Sequence, residues 1–263
     1  MARIESYAPG NFCWAELATS DAAAAKKFYG DLFGWEAVDV PMPEGVYTLF
    51  QAEGNDAAAV RTAGPGEPVH WGVYFSVASA DESAAEVERG GGRLLAGPMD
   101  AHDAGRMAVA LDPQGAAFSL WEAREKIGAT HGGPLGRVMW PELATPDAAG
   151  AAKFYGRLFG WRTTPENIAE DTPYAEWAHS GASIGGLMPM QGDQWAGIPP
   201  HWLIYITVAD CAERTARAEQ LGAKVRVPPT DIPNVGRFAL IFDPAGAAFS
   251  LIQMTALQRP ATA

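Results

Sequence analysis

The sequence predicts an α+β protein of two tandem domains, each built from two βαβββ modules. Three observations carry this: a long segment recurs, further blocks recur behind it in the same order, and short strand patterns alternate with single amphipathic helices. Residues 14–35 read WAELATSDAAAAKKFYGDLFGW and residues 140–161 read WPELATPDAAGAAKFYGRLFGW, with 17 identities in 22 positions at an offset of 126. HWGVYFSV at 70–77 returns as HWLIYITV at 201–208, and DPQGAAFSL at 112–120 returns as DPAGAAFSL at 243–251, both at an offset of 131. The recurring unit, about 120 residues, is far longer than the 20–50 residues of a solenoid repeat, so it is a domain. The expected boundaries are 1–125 for the first domain, a linker at 126–136 (KIGATHGGPLG, glycine-rich and without periodicity), and 137–263 for the second.

The elements follow in order. A strand is expected at Phe12–Ala18, then a helix over Asp21–Phe33, where Ala22, Ala25, Phe28, Tyr29, Leu32 and Phe33 form one apolar stripe. Thr19 and Thr145 are placed as N-caps, with Asp21 and Asp147 in the first turn near the positive end of the helix dipole. Pro146 suits the first helical position, and Gly34 and Gly160 suit the left-handed residue that ends a helix. Short strands continue to Val60. Beyond the Pro/Gly stretch Ala63–Pro68 come a strand at His70–Val77, a helix over Asp81–Arg89 and further strands to Trp121.

Composition narrows the function classes. Hydrophobic residues make up 48% and charged residues 19% of the 263, enough to bury a core. Nineteen Lys and Arg stand against 31 Asp and Glu, for a net charge of −12. That field repels phosphate backbones, so no nucleic-acid partner is expected. No apolar run approaches the roughly 20 residues of a membrane span, and the start, MARIESYAPGNF, lacks a secretory apolar segment. Neither a membrane partner nor secretion is expected, and the compartment reading is cytoplasmic. Cys13 and Cys211 are too few for a disulfide scaffold or a cysteine metal cluster.

Strand alternation separates packing residues from pocket residues. Cys13, Ala15 and Leu17 fall on one face of the first strand, Trp14 and Glu16 on the other; Trp140 and Glu142 repeat the second set. In the later strand Trp71, Val73, Phe75 and Val77 are apolar, and the opposite face carries His70, Gly72, Tyr74 and Ser76. Its repeat sets His201, Leu203, Tyr205 and Thr207 opposite Trp202, Ile204, Ile206 and Val208. The last strand places Ser119 and Trp121, or Ser250 and Ile252, opposite Phe118 and Leu120, or Phe249 and Leu251. Each domain thus has a uniformly apolar face for its helices and a mixed polar and aromatic face suited to a concave pocket.

The pattern W-x-E-L-x-T-x-D-x-x-x-A-x-x-F-Y-x-x-L-F-G-W, followed by D-P-x-G-A-A-F-S-L, resembles the vicinal oxygen chelate superfamily of glyoxalases, extradiol dioxygenases and bleomycin-resistance proteins. The resemblance covers nearly the whole chain, as a tandem two-domain glyoxalase-like protein, and implies curved sheets around cavities. Metal-dependent members carry His, Gln or Glu ligands on the first and last strands of each module. The matching positions are Trp14, Gly72 and Ser119 in one domain and Trp140, Leu203 and Ser250 in the other, with a further position near Ala57–Val60 or Ile184–Leu187. Indole, glycine, leucine and lone serines do not chelate, so neither a metal nor another cofactor is expected. The alternative is a divalent metal at a displaced Glu/His site.

Glu16 with His70, and Glu142 with His201, are the candidate catalytic residues: a Glu–His pair can orient a general base or anchor a ligand. The competing reading is a structural hydrogen bond that satisfies a buried carboxylate. The candidate ligand-binding set is Trp14, Glu16, His70, Tyr74, Ser119 and Trp121 in the first domain and Trp140, Glu142, His201, Tyr205 and Ser250 in the second. Trp177 and Trp195 are further aromatic-box candidates, whereas Trp35 and Trp161 read as core. Arg106 and Arg237 read as loop clamps on Asp100 and Asp231 more readily than as carboxylate binders. His102, His131 and His179 have no counterpart in the other half and are assigned to loops or the surface. Leu203 in place of Gly72 narrows the second cavity and favours the first for ligand. Two functions stand. One is a metal-independent binder of an aromatic or amphipathic small molecule. The other is an enzyme of lyase, hydroxylase or dioxygenase type at a non-standard Glu/His site. Either fits a monomer or a homodimer.

Overall fold

Each half of the chain lays down one eight-stranded sheet. The structure, a computed structural model, describes residues 3–43, 45–166 and 174–255; the end of the second domain at 256–263 lies outside them. In the first half β1 (Phe12–Thr19) leads through α1 (Ala22–Phe33) to β2 (Glu36–Met42), β3 (Gly45–Ala52) and β4 (Asn55–Thr62). The second module repeats the plan with β5 (His70–Ser76), α2 (Ala80–Arg89), β6 (Arg93–Ala101), β7 (Gly105–Leu111) and β8 (Ala117–Ala123). The second half follows with β9 (Val138–Thr145), α3 (Ala148–Phe159), β10 (Arg162–Glu166), β11 (Tyr174–His179) and β12 (Ala182–Pro189). It closes with β13 (His201–Thr207), α4 (Cys211–Gln220), β14 (Lys224–Ile232), β15 (Gly236–Phe242) and β16 (Ala248–Met254).

Strand order is β2-β3-β4-β1-β5-β8-β7-β6 in the first sheet and β10-β11-β12-β9-β13-β16-β15-β14 in the second. The modules of a sheet join through antiparallel pairing of their first strands, with Glu16 opposite Gly72 and Glu142 opposite Leu203. Both carboxylates therefore sit mid-sheet.

Two local expectations need correction. The helix N-caps are Asp21 and Asp147, whose carboxylates accept from the backbone N–H of Ala24 (2.9 Å) and Gly150 (2.8 Å). A short carboxylate reaches the third helical N–H directly and is a stronger cap than threonine. Thr19 and Thr145 are instead the buried ends of β1 and β9, and Pro146 precedes its cap. The second correction concerns Cys13. The β1–β5 register slips between Phe12 and Trp14, and this bulge turns the Cys13 side chain to the same cluster as Trp14 and Tyr74. A bulge adds one residue and breaks strict alternation. The thiol is still buried, which pushes its pKa up, so it remains a small hydrophobe and not a nucleophile. Gly34 and Gly160 end α1 and α3 at φ 73° and 74°, as expected.

The apolar faces of both sheets and the helices share one core across the domain boundary. Phe75 lies 5.1 Å from Trp161 and 5.2 Å from Trp202, ring centre to ring centre. The recurring Phe-Tyr and Asp-Pro-x-Gly motifs meet here. Asp112 Oδ1 accepts from the backbone N–H groups of Gln114, Gly115 and Ala116, and Asp243 does the same for Ala245, Gly246 and Ala247. The second oxygen of each reaches the other domain: the Tyr29 hydroxyl donates to Asp243 (3.0 Å) and the Tyr155 hydroxyl to Asp112 (3.2 Å). Trp71 and Trp202 donate in turn to Tyr29 and Tyr155. Every polar atom of these buried chains is thus satisfied across the pseudo-symmetric interface.

Trp35 and Trp161 are core residues as expected, and their indoles also donate to Gly136 and Gly10 carbonyls. Trp177 is not available for an aromatic box: it is fully buried in the core, 5.3 Å from Trp161. His131 is likewise not a surface residue. It is 2% exposed, with Nε2 at 2.8 Å from the Leu135 carbonyl. Gly133 makes room for it, because a Cβ there would lie 2.6 Å from the imidazole. His179 Nε2 lies 3.0 Å from the Pro9 carbonyl, and His102 is exposed on the turn after β6.

Candidate functional site

On the concave face of each sheet, four side chains recur in one arrangement. In the first domain the Trp14 indole donates to the Tyr47 hydroxyl (3.1 Å), which donates to Glu16 Oε2 (2.7 Å), while the Tyr74 hydroxyl donates to Glu16 Oε1 (3.1 Å). In the second domain Trp140 donates to Tyr174 (3.2 Å), Tyr174 is hydrogen-bonded to Glu142, and Tyr205 donates to Glu142 Oε1 (3.1 Å). The local fold explains the pattern. Trp and Glu sit two apart on the central strand, one tyrosine comes from β3 or β11, and the other from β5 or β13. Tyr174 reaches its place because Gly186 leaves it open; a Cβ there would lie 2.1 Å from the phenol oxygen.

Strand alternation places Glu16, Glu142, Tyr74 and Tyr205 on this face but does not single out Tyr47 and Tyr174. These two lie at an offset of 127, in a stretch whose flanking residues differ, and that offset was the available signal. The expected Glu–His pairing is replaced by Glu–Tyr pairing. His70 does share the face, with Nε2 lying 3.7 Å from where a Cβ on Gly72 would stand, but its Nδ1 lies 2.9 Å from the Pro68 carbonyl. His201 Nδ1 is held by Pro199 in the same way. In both domains one tyrosine reaches the carboxylate from the adjacent strand, β5 or β13, and the other from two strands away, on β3 or β11, across the small residues Ala59 and Gly186 that stand opposite the glutamates.

The remaining candidates lie around this centre. Ser119 is buried opposite Tyr74 in the β5–β8 pairing, and Ser250 is fully buried opposite Tyr205. Trp121 is half-buried; its indole donates to the Lys126 carbonyl and rests over Gly105. Trp195 lies on a short 3-10 turn, 6.5 Å from the His201 ring and away from the apolar cluster of that face. Arg106 and Arg237 are clamps: Arg106 bonds Asp100 (3.0 Å) and Asp81 (2.7 Å), and Arg237 bonds Asp231 (2.7 Å).

Charge separates the two centres. Arg61 donates from Nε to Glu16 Oε1 at 2.7 Å and grips Glu67 with its other nitrogens, at 2.8 and 2.5 Å. Glu67 also accepts from the Gly64 backbone, and the Arg61 guanidinium is the leading cause that brings its carboxyl down to about 2. In the β1–β4 pairing Arg61 stands opposite Ala18; in β9–β12 the residue opposite Ala144 is Met188. Glu16 and Glu142 are both 8% exposed, so burial does not distinguish them. Among the described residues no Lys, Arg or His pairs with Glu142, and burial pushes its carboxyl up to about 7 against the pull of its two tyrosine bonds.

Divalent-metal chelation does not suit either donor set. In the first domain the only carboxylate at the centre among the described residues is committed to a guanidinium, and a second cation beside it would meet that charge at close range. In the second, one carboxyl stands among phenols, Leu203 and Ile252. Among the described residues no group of three or more His, Cys, Asp and Glu converges anywhere.

Access differs as well. Over the first centre lie Tyr7 and Ala129, from the N-terminal segment and the linker; Tyr7 donates to the Ala129 carbonyl and Ala129 N–H donates to Cys13. Half-buried apolar side chains border both centres, Leu49, Met107 and Trp121 at the first and Trp140, Phe238, Leu240 and Met254 at the second, so the difference lies in the added Tyr7 and Ala129. A cavity of about 440 Å³ adjoins the second cluster through Ile232 and Met254, and one of about 360 Å³ lies between Ile4, Asp56 and Lys126. No helix among the described residues is long and apolar enough to cross a membrane.

Comparison with known proteins places these features. The family model for the Glyoxalase/Bleomycin resistance protein/Dioxygenase superfamily matches residues 11–120 and again 135–251. The chain is 38% identical over 261 residues to the Mycobacterium tuberculosis protein named "Putative glyoxylase CFP32", covering 96% of this chain and 98% of that one. It is 37% identical over 268 residues to the anthracycline biosynthesis protein DnrV of Streptomyces peucetius, covering 94% of each. Its fold is similar to that of the Mn(II)-bound glyoxalase from Novosphingobium aromaticivorans (TM-score 0.66, 17% identity, 93% and 82% of the two chains). It is also similar to homoprotocatechuate 2,3-dioxygenase from B. fuscum (TM-score 0.67, 17% identity, 99% and 76%). With a sheet of paired βαβββ modules in each half and a family match over both, the chain belongs to the Glyoxalase/Bleomycin resistance protein/Dioxygenase superfamily.

Proposed function

We propose that this chain binds a planar aromatic small molecule without a metal, through the concave faces of its domains. The observation that carries the reading is the Arg61–Glu16 ion pair: a guanidinium lies at 2.7 Å on the one carboxylate at the first centre, where chelation would need a free donor. The Trp14 and Trp140 indoles occupy the strand positions that the resemblance assigns to ligating residues, and both are tied to tyrosines. Aromatic walls with a few fixed hydroxyls suit flat, oxygen-bearing molecules. The relatives named for anthracycline biosynthesis point to the ligand class, a fused multi-ring aromatic. The test titrates purified protein, treated with a chelator, with a panel of fused-ring aromatics that includes an anthracycline. Quenched tryptophan emission and a raised melting temperature are expected. Near-stoichiometric transition metal in untreated protein, lost in Glu16→Ala, would overturn the reading.

A second reading, acid–base catalysis, has one observation in its favour. The Glu142 carboxyl, pushed up to about 7, is able to take and return a proton near neutral pH. Turnover of a bound aromatic, abolished by Glu142→Gln with binding retained, would favour it over simple binding.

A further inference from the structure

The internal repeat supplies its own control. Two carboxylates occupy the same strand position, equally buried, each held by two tyrosines, and one tyrosine of each pair is held by a tryptophan. The first has its charge balanced inside the protein by Arg61; at the corresponding place in the second stands Met188, whose thioether carries no charge. Around Glu142 stand Tyr174 on β11, Gly186 directly opposite on β12 with Met188 two residues further along, and Leu203 and Tyr205 on β13, with Trp140 on its own strand. His201 shares β13, but its Nδ1 is turned to Pro199, and Glu176 is engaged by Ser183. A buried carboxylate in such surroundings is costly unless a cation joins it.

The apolar wall beside this carboxylate is built to receive something flat. The Tyr205 ring, whose hydroxyl reaches Glu142, lies 6.4 Å from Phe238, and the same cluster continues through Trp140, Leu240 and Met254. The aromatic faces there attract a cation as well as an apolar ring.

We propose that the second domain selects cationic aromatic ligands, a protonated amine on the ligand taking the place beside Glu142 that Arg61 takes beside Glu16. The inference rests on the small-molecule-binding reading above and assigns the charge of the ligand and the half of the chain that reads it. The raised carboxyl of Glu142 is consistent with a site waiting for a positive charge. Bringing the ammonium in removes the penalty of the isolated carboxylate, whereas a neutral ligand leaves it in place.

The experiment compares 1-naphthylmethylammonium with 1-naphthalenemethanol, two probes of nearly equal size, by isothermal titration calorimetry on the full chain at pH 8. The ammonium is expected to bind about tenfold tighter or better, a difference of about 1.4 kcal/mol. In Glu142→Gln, which keeps the shape of the side chain, and in Met188→Arg, which supplies an internal cation, the ratio is expected to fall to about one. Melting curves verify that both variants fold. Equal binding of the two probes by the unaltered chain, or a preference that survives both substitutions, overturns the charge assignment while leaving the aromatic-binding reading intact. Absence of binding by either probe overturns both.

Discussion

The two halves of this chain share a sheet, a core motif and a Trp–Tyr–Glu–Tyr centre, yet they handle the same buried carboxylate differently. Glu16 is locked to Arg61, which is locked to Glu67, and the face above them is covered by Tyr7 and Ala129. Glu142 has only its tyrosines among the described residues, beneath a wall whose large side chains are half-buried. The second domain retains the strand order and the central register without the arginine, so Arg61 is not what shapes the sheet. The contrast separates what the fold requires, the hydrogen-bonded centre, from what each face has specialised, its charge and cover.

The largest effect is expected from making the first half resemble the second. Arg61→Met strands Glu16 as an unbalanced buried charge and should cost about 3 kcal/mol at pH 8, the low end for breaking a buried pair because the guanidinium is a third exposed. Urea unfolding measures it; a loss under 1 kcal/mol, roughly that of a surface pair, would show that the ion pair is ornamental.

Glu142→Gln should act in the opposite direction and depend on pH. In the folded chain the carboxyl holds its proton to about pH 7, whereas an unfolded glutamate loses it near 4.3. Between these values the folded state binds more protons. Stability is therefore complete below about pH 4.3, falls as pH rises to about 7, and stays low above it. Glu142→Gln should stabilise by about 2 kcal/mol at pH 8 and by little at pH 4.5. An equal gain at both values would mean that Glu142 is not the group responsible.

Smaller and equal effects should come from the parts the halves share. Tyr29→Phe and Tyr155→Phe each leave a tryptophan N–H and an aspartate oxygen short of a partner at the domain interface, for a loss of about 1–2 kcal/mol. Asp21→Ala and Asp147→Ala remove matching helix caps and should cost about 1 kcal/mol each in thermal unfolding. A marked inequality within either pair would show that the domains differ in more than their concave faces.

Legibility in the sequence followed periodicity. The βαβββ plan, the helix stripe and the apolar faces could be read because backbone geometry fixes which residues share a side. That logic failed at Cys13, where one extra residue in the strand breaks alternation. It also failed at the helix caps, where Thr and Asp two residues apart compete for the same role. In the candidate centre Glu16, Tyr74, Glu142 and Tyr205 were found because they recur on strands with clear alternation. Arg61 was missed for the complementary reason: searching for what repeats discards a residue present in one half only. The resemblance of His70 and His201 to catalytic partners reflected shared faces, and a shared face does not choose hydrogen-bond partners.

The sequence by itself determined that one domain occurs twice and which residues turn toward the core, because repetition and strand period are properties of the chain order. Only the tertiary structure decided that the repeated Asp-Pro-x-Gly turn holds a tyrosine of the opposite domain, and that an arginine from a neighbouring strand neutralises one central glutamate and not the other. Those are contacts between segments dozens to hundreds of residues apart, and their partners are fixed by strand register and domain packing, which no local pattern records.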